Sequence, residues 1–324
     1  MQKIVAAVLA FLALFRFLDW RAPRDSVWPG AEFETGRACW LWPAGLEYLY
    51  SLRSRGVGRP ENDSLLVLHR GRLVYEHYGE NEGRDSLFPI YSCTKTVLAA
   101  LVGIALKEGY IDSVDQKVTD FYPDAVIAPG QESKRDMTVR HLLTMTSGLP
   151  ADLEAHFDDC MGAPDVGKAA FETPQAAAPG EKWLYSSYPG MQCLGGIIER
   201  RTGRSLYDYA QEKLFGPLGI TSVVWEHLSD GSSTAGYGIQ MTARDMLRFG
   251  HLYLNDGQWD GLRILPEGWV AQSKPGSNGY GYLICDYGDD WFLGGSYEAR
   301  GHGGQWITIC FKRDLVIART SRAA

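Results

Sequence analysis

Two strand pairs lie near opposite ends of this 324-residue chain, with a long stretch of helical periodicity between them. Ser64 to His69 and Leu73 to Tyr78 are apolar runs around the tight, glycine-containing Arg70-Gly71-Arg72. The pattern returns near the carboxyl end, where Trp306 to Phe311 and Leu315 to Thr320 flank Lys312-Arg313-Asp314. Such short connections allow only antiparallel pairing, because a parallel crossover needs about a dozen residues or more. Further strands are expected at Tyr280 to Cys285 and at Trp291 to Gly294. The simplest arrangement is an α+β fold in which one antiparallel sheet is assembled from both chain ends. The middle of the chain, roughly 110–275, then forms an inserted and mainly helical lobe, and a cleft is left between lobe and sheet.

The helical stretches carry recognisable stops. Thr94 to Leu106 is apolar on most sides and ends near Glu108-Gly109, the pattern of a buried helix with a glycine terminator. Thr138 to Thr144 forms a shorter helix halted by Ser147-Gly148-Leu149-Pro150. Gly190 to Arg200 and Leu206 to Leu214 are two more, and Thr242 caps a helix over Ala243 to Leu254. His156 to Gly180 is rich in Pro, Gly, Ala and Asp and is expected to be an irregular surface excursion. No internal repeat is evident.

Composition sets the class. With 45% hydrophobic residues the chain buries a substantial core, and 21–324 is expected to form a single domain. The net charge is -7 and the 32 basic residues are scattered, so no nucleic-acid footprint is present. Residues 1–20 stand apart: Lys3 precedes the apolar run Ile4 to Phe15, and Arg16 interrupts it. That run suits a signal peptide or an N-terminal anchor, with an amphipathic helix packed on the domain as the alternative. Export to the periplasm, or attachment at the outer face of the inner membrane, is the expected localisation. The six cysteines and seven histidines show no zinc-like spacing. Buried free thiols are the simplest account of the cysteines, an exported chain could instead form disulfides, and the sequence supplies no pairing. Phosphate-binding and calcium-binding loops are also lacking, so no metal or organic cofactor is expected.

Ser92-Cys93-Thr94-Lys95 places a hydroxyl and an amine three residues apart at the start of the first helix. Side chains at i and i+3 share a helical face, so Lys95 can reach the Ser92 oxygen. Taken alone, Ser92 reads more readily as a helix N-cap or first-turn residue and Lys95 as a solvated helix lysine. Cys93 projects about 100° away from Ser92 and reads as packing.

The context enlarges the pair. Phe88-Pro89-Ile90-Tyr91-Ser92-Cys93-Thr94-Lys95, followed by Thr138 to Leu149, resembles the serine beta-lactamase-like superfamily. Its class C, penicillin-binding and esterase branch is the nearest in pattern. Pro179-Gly180 before Tyr185-Ser186-Ser187, Phe215-Gly216-Pro217-Leu218-Gly219 and Gly301-His302-Gly303-Gly304-Gln305 follow in the family's order. The resemblance covers about residues 60–320 and implies a beta-lactamase/transpeptidase-like fold.

It also implies roles. Ser92 corresponds to the acylated nucleophile, Lys95 to its general base and Tyr185 to the general acid/base of the Tyr-x-Asn element. His302-Gly303-Gly304 corresponds to the Lys-Thr-Gly element on a sheet-edge strand, which puts the backbone N-H groups of Ser92 and Gln305 at the oxyanion hole. The chemistry is consistent, since a serine hydroxyl needs a nearby base, and a lysine serves as one only where burial or positive charge favours its neutral form. Trp183, Tyr188, Tyr280 and Tyr282 are candidate cleft-lining aromatics or, equally, ordinary core, with Ser187, His302, Gly303 and Gly304 as substrate-binding residues.

Departures from the family pattern shape the substrate. Ser187 replaces asparagine, His302 replaces a permanently charged lysine, and Gly303 replaces a hydroxyl-bearing residue. This variant resembles the superfamily's esterases and its 6-aminohexanoate-dimer hydrolases. The expected activity is cleavage of a small ester or linear amide through an acyl-enzyme. The alternatives are a beta-lactamase or D-alanyl-D-alanine carboxypeptidase-like penicillin-binding protein, and a catalytically degenerate binding protein.

Overall fold

The computed structural model describes residues 28–29, 32–36, 64–151, 160, 162–288 and 293–321. The expected signal or anchor segment and Cys39 lie outside them. Strand β1 (Ser64–His69) turns into β2 (Arg72–Tyr78) through Arg70 and Gly71 alone, at φ 53° and 75°. Positive φ at both loop positions matches the right-handed twist of the flanking strands and makes the two-residue hairpin possible.

A short ladder precedes the first helix, with β3 (Phe88–Pro89) against β5 (Ile239–Met241), which also pairs β4 (Val224–Trp225). A surface turn is closed by β6 (Gln258–Trp259) and β7 (Leu262–Arg263). The remaining strands are β8 (Cys285–Asp286), β9 (Tyr297–Gly301), β10 (Gln305–Cys310) and β11 (Leu315–Thr320). The main sheet runs β2-β1-β11-β10-β9-β8, antiparallel throughout, so the last strand inserts beside the first. The sheet assembled from both chain ends is therefore present.

Period-two alternation sorts these strands onto two faces. Leu66, Leu68, Ile307, Ile309, Val316 and Ala318 join the principal core, while Leu65, Val67, Cys310, Leu315 and Ile317 form a second cluster on the other side. Helix α1 (Cys93–Lys107) is buried from Cys93 to Ala105, as its apolar circumference demands. The remaining helices are α2 (Val139–Leu143), α3 (Val166–Glu172), α4 (Pro189–Thr202), α5 (Leu206–Ala210), α6 (Ala243–Leu254) and α7 (Trp269–Gln272). Thr138 caps α2 in a capping box with His141, and Thr242 caps α6 through the amide of Asp245.

Several expectations are corrected. The surface excursion contains α3, started by the Asp165 side chain accepting from the Lys168 amide. The helix at Leu206 to Leu214 changes at Gln211 into a π-helical turn that runs to Phe215. The strand at Tyr280 to Cys285 shrinks to β8, because Leu283 adopts a left-handed φ of 52° that bends the chain. Leu293 and Gly294 lie in a turn, and Trp291 is outside the described residues.

Candidate active site

The route into α1 is held on both sides. Ile90 donates its amide to the Ile239 carbonyl, and Tyr91 then takes a left-handed φ of 46°, a strained conformation for a bulky side chain. Ser92 follows at the cap of α1, yet its side chain makes no capping hydrogen bond. Instead the Ser92 Oγ accepts from Lys95 Nζ at 2.9 Å. Lys95 is 1% exposed, so the solvated alternative is set aside. Its Nζ also donates to the Gly236 carbonyl at 2.8 Å and lies 4.9 Å from the centroid of the Tyr185 ring.

The segment carrying Tyr185 arrives from the end of α2. Met145, at φ 57°, turns the chain so that its carbonyl accepts from the Leu184 amide, and the Ser186 hydroxyl accepts from the Gly190 amide at the start of α4. Ser187 is buried, and its carbonyl passes so close to Gly236 that a Cβ there would meet it at 2.1 Å. Gly236 therefore does two things at once. Its missing side chain admits Ser187, and its carbonyl then reaches Lys95.

A third wall comes from the β9–β10 hairpin. His302, Gly303 and Gly304 form its tight 3-10 turn, with Gly303 at φ 72° and Gly304 at φ 96°. They are not on a sheet-edge strand, since β10 lies between β9 and β11 and the turn sits at the strand end. A Cβ on Gly301 would come 2.3 Å from the Ile90 carbonyl, so the hairpin abuts the segment that delivers the serine. His302 is exposed and its ring meets Tyr91 edge-on at 5.6 Å. Gln305 is fully buried, its side-chain amide pairing with both backbone groups of Ser321. The Cys93 thiol donates to the Gln305 carbonyl at 3.3 Å, and burial pushes that thiol well above its usual pKa, which preserves it as a donor. Cys93 thus does more than pack: it ties α1 to the hairpin.

Ser92, Lys95 and Tyr185 therefore meet through the lysine, Ser187 joins through Gly236, and His302 and Gln305 adjoin through Tyr91 and Cys93. Trp183 is 44% exposed and contacts both Tyr185 and Tyr280, at centroid separations of 6.0 and 5.7 Å. Tyr188 pairs with Tyr237 instead, at 5.3 Å. Tyr282 does not join them: it is buried, its ring against Trp269 and its hydroxyl accepting from Arg140 at 2.6 Å. The sequence reading did not single out Gly236 or Tyr91. A glycine's contribution here is a carbonyl and an absent side chain, which leave no mark in a residue pattern.

Among the described residues no three His, Cys, Asp or Glu side chains group as metal ligands, and the five described cysteines are free thiols.

Comparison with known proteins gives concordant results. The family model described as Beta-lactamase matches residues 58–323. "Penicillin-binding protein 4" of Amycolatopsis lactamdurans is 28% identical over 262 residues, covering 70% of this chain and 66% of that protein. The "6-aminohexanoate-dimer hydrolase" of Paenarthrobacter ureafaciens is 24% identical over 245 residues, covering 67% of this chain and 58% of that protein. The chain thus spans less than two thirds of the length of these relatives. Among solved structures, a protein provisionally described as a 6-aminohexanoate-dimer hydrolase from Bacillus anthracis superposes with a TM-score of 0.72 at 21% identity, covering 93% of this chain and 83% of that one. A penicillin-binding protein homologue from Caulobacter crescentus gives 0.69 at 16% identity, covering 89% and 93%. These structures share the fold.

Proposed function

Since the chain belongs to the beta-lactamase family, we propose that it is a serine hydrolase cleaving small esters or linear amides through an acyl-enzyme. The observation that carries this reading is the 2.9 Å contact between Ser92 Oγ and the buried Lys95 Nζ. Water is shut out around the amine, the setting in which a lysine acts as a base. Lys95 takes the Ser92 proton as Oγ attacks the substrate carbonyl carbon, and the electron pair of that carbonyl moves onto its oxygen. The N-H groups of Ser92 and Gln305 receive the oxyanion. Tyr185, whose ring borders Lys95, passes its proton to the departing alkoxide or amine and takes back the one that Lys95 removed from Ser92, which returns both groups to their starting state. Water then repeats the sequence on the acyl-enzyme and releases the acid, regenerating Ser92.

The exposed His302 and the bare Gly303 favour neutral substrates over beta-lactams or peptides ending in a carboxylate, because neither carries a permanent charge, and the guanidinium against the turn, that of Arg319, is buried and donates to the Gly304 carbonyl. Export, read from residues 1–20, is part of the same proposal. Purified wild type and Ser92→Ala are to be compared on p-nitrophenyl butyrate, 6-aminohexanoate linear dimer and a chromogenic cephalosporin. Wild type is expected to hydrolyse the ester while Ser92→Ala loses activity by at least about 1,000-fold. Hydrolysis retained by Ser92→Ala overturns the mechanism, and rapid cephalosporin turnover overturns the substrate reading.

A further inference from the structure

Beside the candidate site stands an aromatic cluster that acyl transfer itself does not require. Trp183, Tyr185 and Tyr280 touch pairwise: Trp183 tilts on Tyr185 by 37°, and both rings meet Tyr280 edge-on. Exposure is graded across the triangle. Tyr280 is 9% exposed and holds the base, Tyr185 is half-buried beside Lys95, and Trp183 offers 44% of its surface to solvent. Burial keeps the Tyr280 hydroxyl protonated, its pKa pushed well above the ordinary phenol value. An indole left this open is an unusual surface group, and this one is fixed by two neighbours rather than free to collapse onto the protein.

Direction follows from the role of Tyr185. A general acid must face the atom that leaves, so a surface continuous with the Tyr185 ring lies beside the leaving group and not beside the acyl chain. We propose that Trp183, supported by Tyr280, is a specificity-determining residue that receives an aromatic alcohol or amine leaving group and sets a preference for aryl and arylmethyl esters and amides. This rests on the serine-hydrolase reading above. The exposed indole offers a π-face for offset or edge-on stacking, whereas a saturated ring of the same bulk gains contact area alone.

The test uses three esters on the full-length protein. Benzyl acetate and cyclohexylmethyl acetate share an acyl group and differ in leaving-group aromaticity, while methyl phenylacetate carries its ring on the acyl side. Wild type is expected to favour benzyl over cyclohexylmethyl acetate in kcat/KM by about 3- to 10-fold, the size of one aromatic pair. Trp183→Leu, which keeps apolar bulk, should reduce that ratio to near one, and Trp183→Phe should retain most of it. Methyl phenylacetate should be hydrolysed equally by all three proteins. Equal losses on all three esters in Trp183→Leu would mean that the indole merely props up Tyr185, and an unchanged ratio would mean that it never meets the leaving group. Either result overturns the inference. Ser92→Ala, run alongside, separates this failure from that of the underlying mechanism, because its activity must vanish on every ester whichever way the Trp183 variants behave.

Discussion

Substituting Gly236 by alanine tests how the candidate site holds its lysine. The added methyl carbon would lie 2.1 Å from the Ser187 carbonyl oxygen, against a limit of 3.0 Å that real contacts respect. The two backbones must part by about 1 Å to admit it, with a strain of roughly 1–3 kcal/mol typical of overpacking. The moving backbone is the one whose carbonyl accepts from Lys95 Nζ at 2.8 Å. A displacement of that size in a positioning group costs about 100-fold in rate. Gly236→Ala is therefore expected to lower the acylation rate on p-nitrophenyl butyrate by about 100-fold in stopped-flow measurements, with a smaller change in KM. Gly250→Ala supplies the control, since its Cβ would meet Val316 at 2.5 Å where α6 packs on the sheet. It should lower the melting temperature and leave the acylation rate unchanged. A folded Gly236→Ala with a wild-type acylation rate would refute the claim that this carbonyl fixes the lysine. Equal rate losses in both variants would reduce the effect to general destabilisation.

Two further predictions concern a contact within the site and a buried carboxyl outside it. Cys93→Ala removes the donor to the Gln305 carbonyl and should lower kcat by about 3-fold at constant KM, while Cys93→Ser, which keeps a donor, should recover at least half of the loss; identical kinetics in the two variants would dismiss the contact. Burial pushes the Glu199 carboxyl up to about 7 although it accepts from the Leu206 and Ser233 amides. The folded state then holds a proton that the unfolded chain releases near its ordinary value of 4.5, so stability from this group is full below about 4.5 and is lost as pH rises toward 7. Urea midpoints should fall between pH 5 and 8 in wild type and flatten over that range in Glu199→Gln; parallel profiles would count against the assignment.

Much of this arrangement was legible because a few residues carry it. The terminal hairpins were readable from their period-two apolar runs, and α1 from its apolar circumference and its stop at Gly109. Strand β9 was not, because Glu298 and Arg300 give it the look of a surface loop. Glu298 is in fact fully buried, paired with Arg300 and accepting from Thr308 Oγ1 at 2.7 Å. The reverse error occurred at Tyr280 to Cys285, apolar enough for a strand but bent at Leu283, whose carbonyl accepts from Thr96 on α1. In the site, Ser92, Lys95 and Tyr185 were recognisable as side chains in an ordered pattern. Gly236 contributes through its backbone, and Cys93 through a thiol that points away from Ser92, as the helical geometry requires, but toward a strand more than 200 residues downstream. Such contacts depend on which distant segment arrives opposite, and no local pattern encodes that.

The insertion of β11 between β1 and β10 has a consequence for how the protein is made. Ser64 and Thr320, whose hydroxyls lie 2.7 Å apart, are separated by 256 residues. Pairing them closes most of the chain into one loop, so this fold has high contact order and its sheet forms late. A growing chain halted before residue 305 already contains Ser92, Lys95 and Tyr185, but it has neither the Gln305 peptide nor a partner for the inner edge of β1. Ser92 is thus synthesised early and furnished with its surroundings last. Whatever reaction the site performs therefore waits on closure of the sheet by β10 and β11.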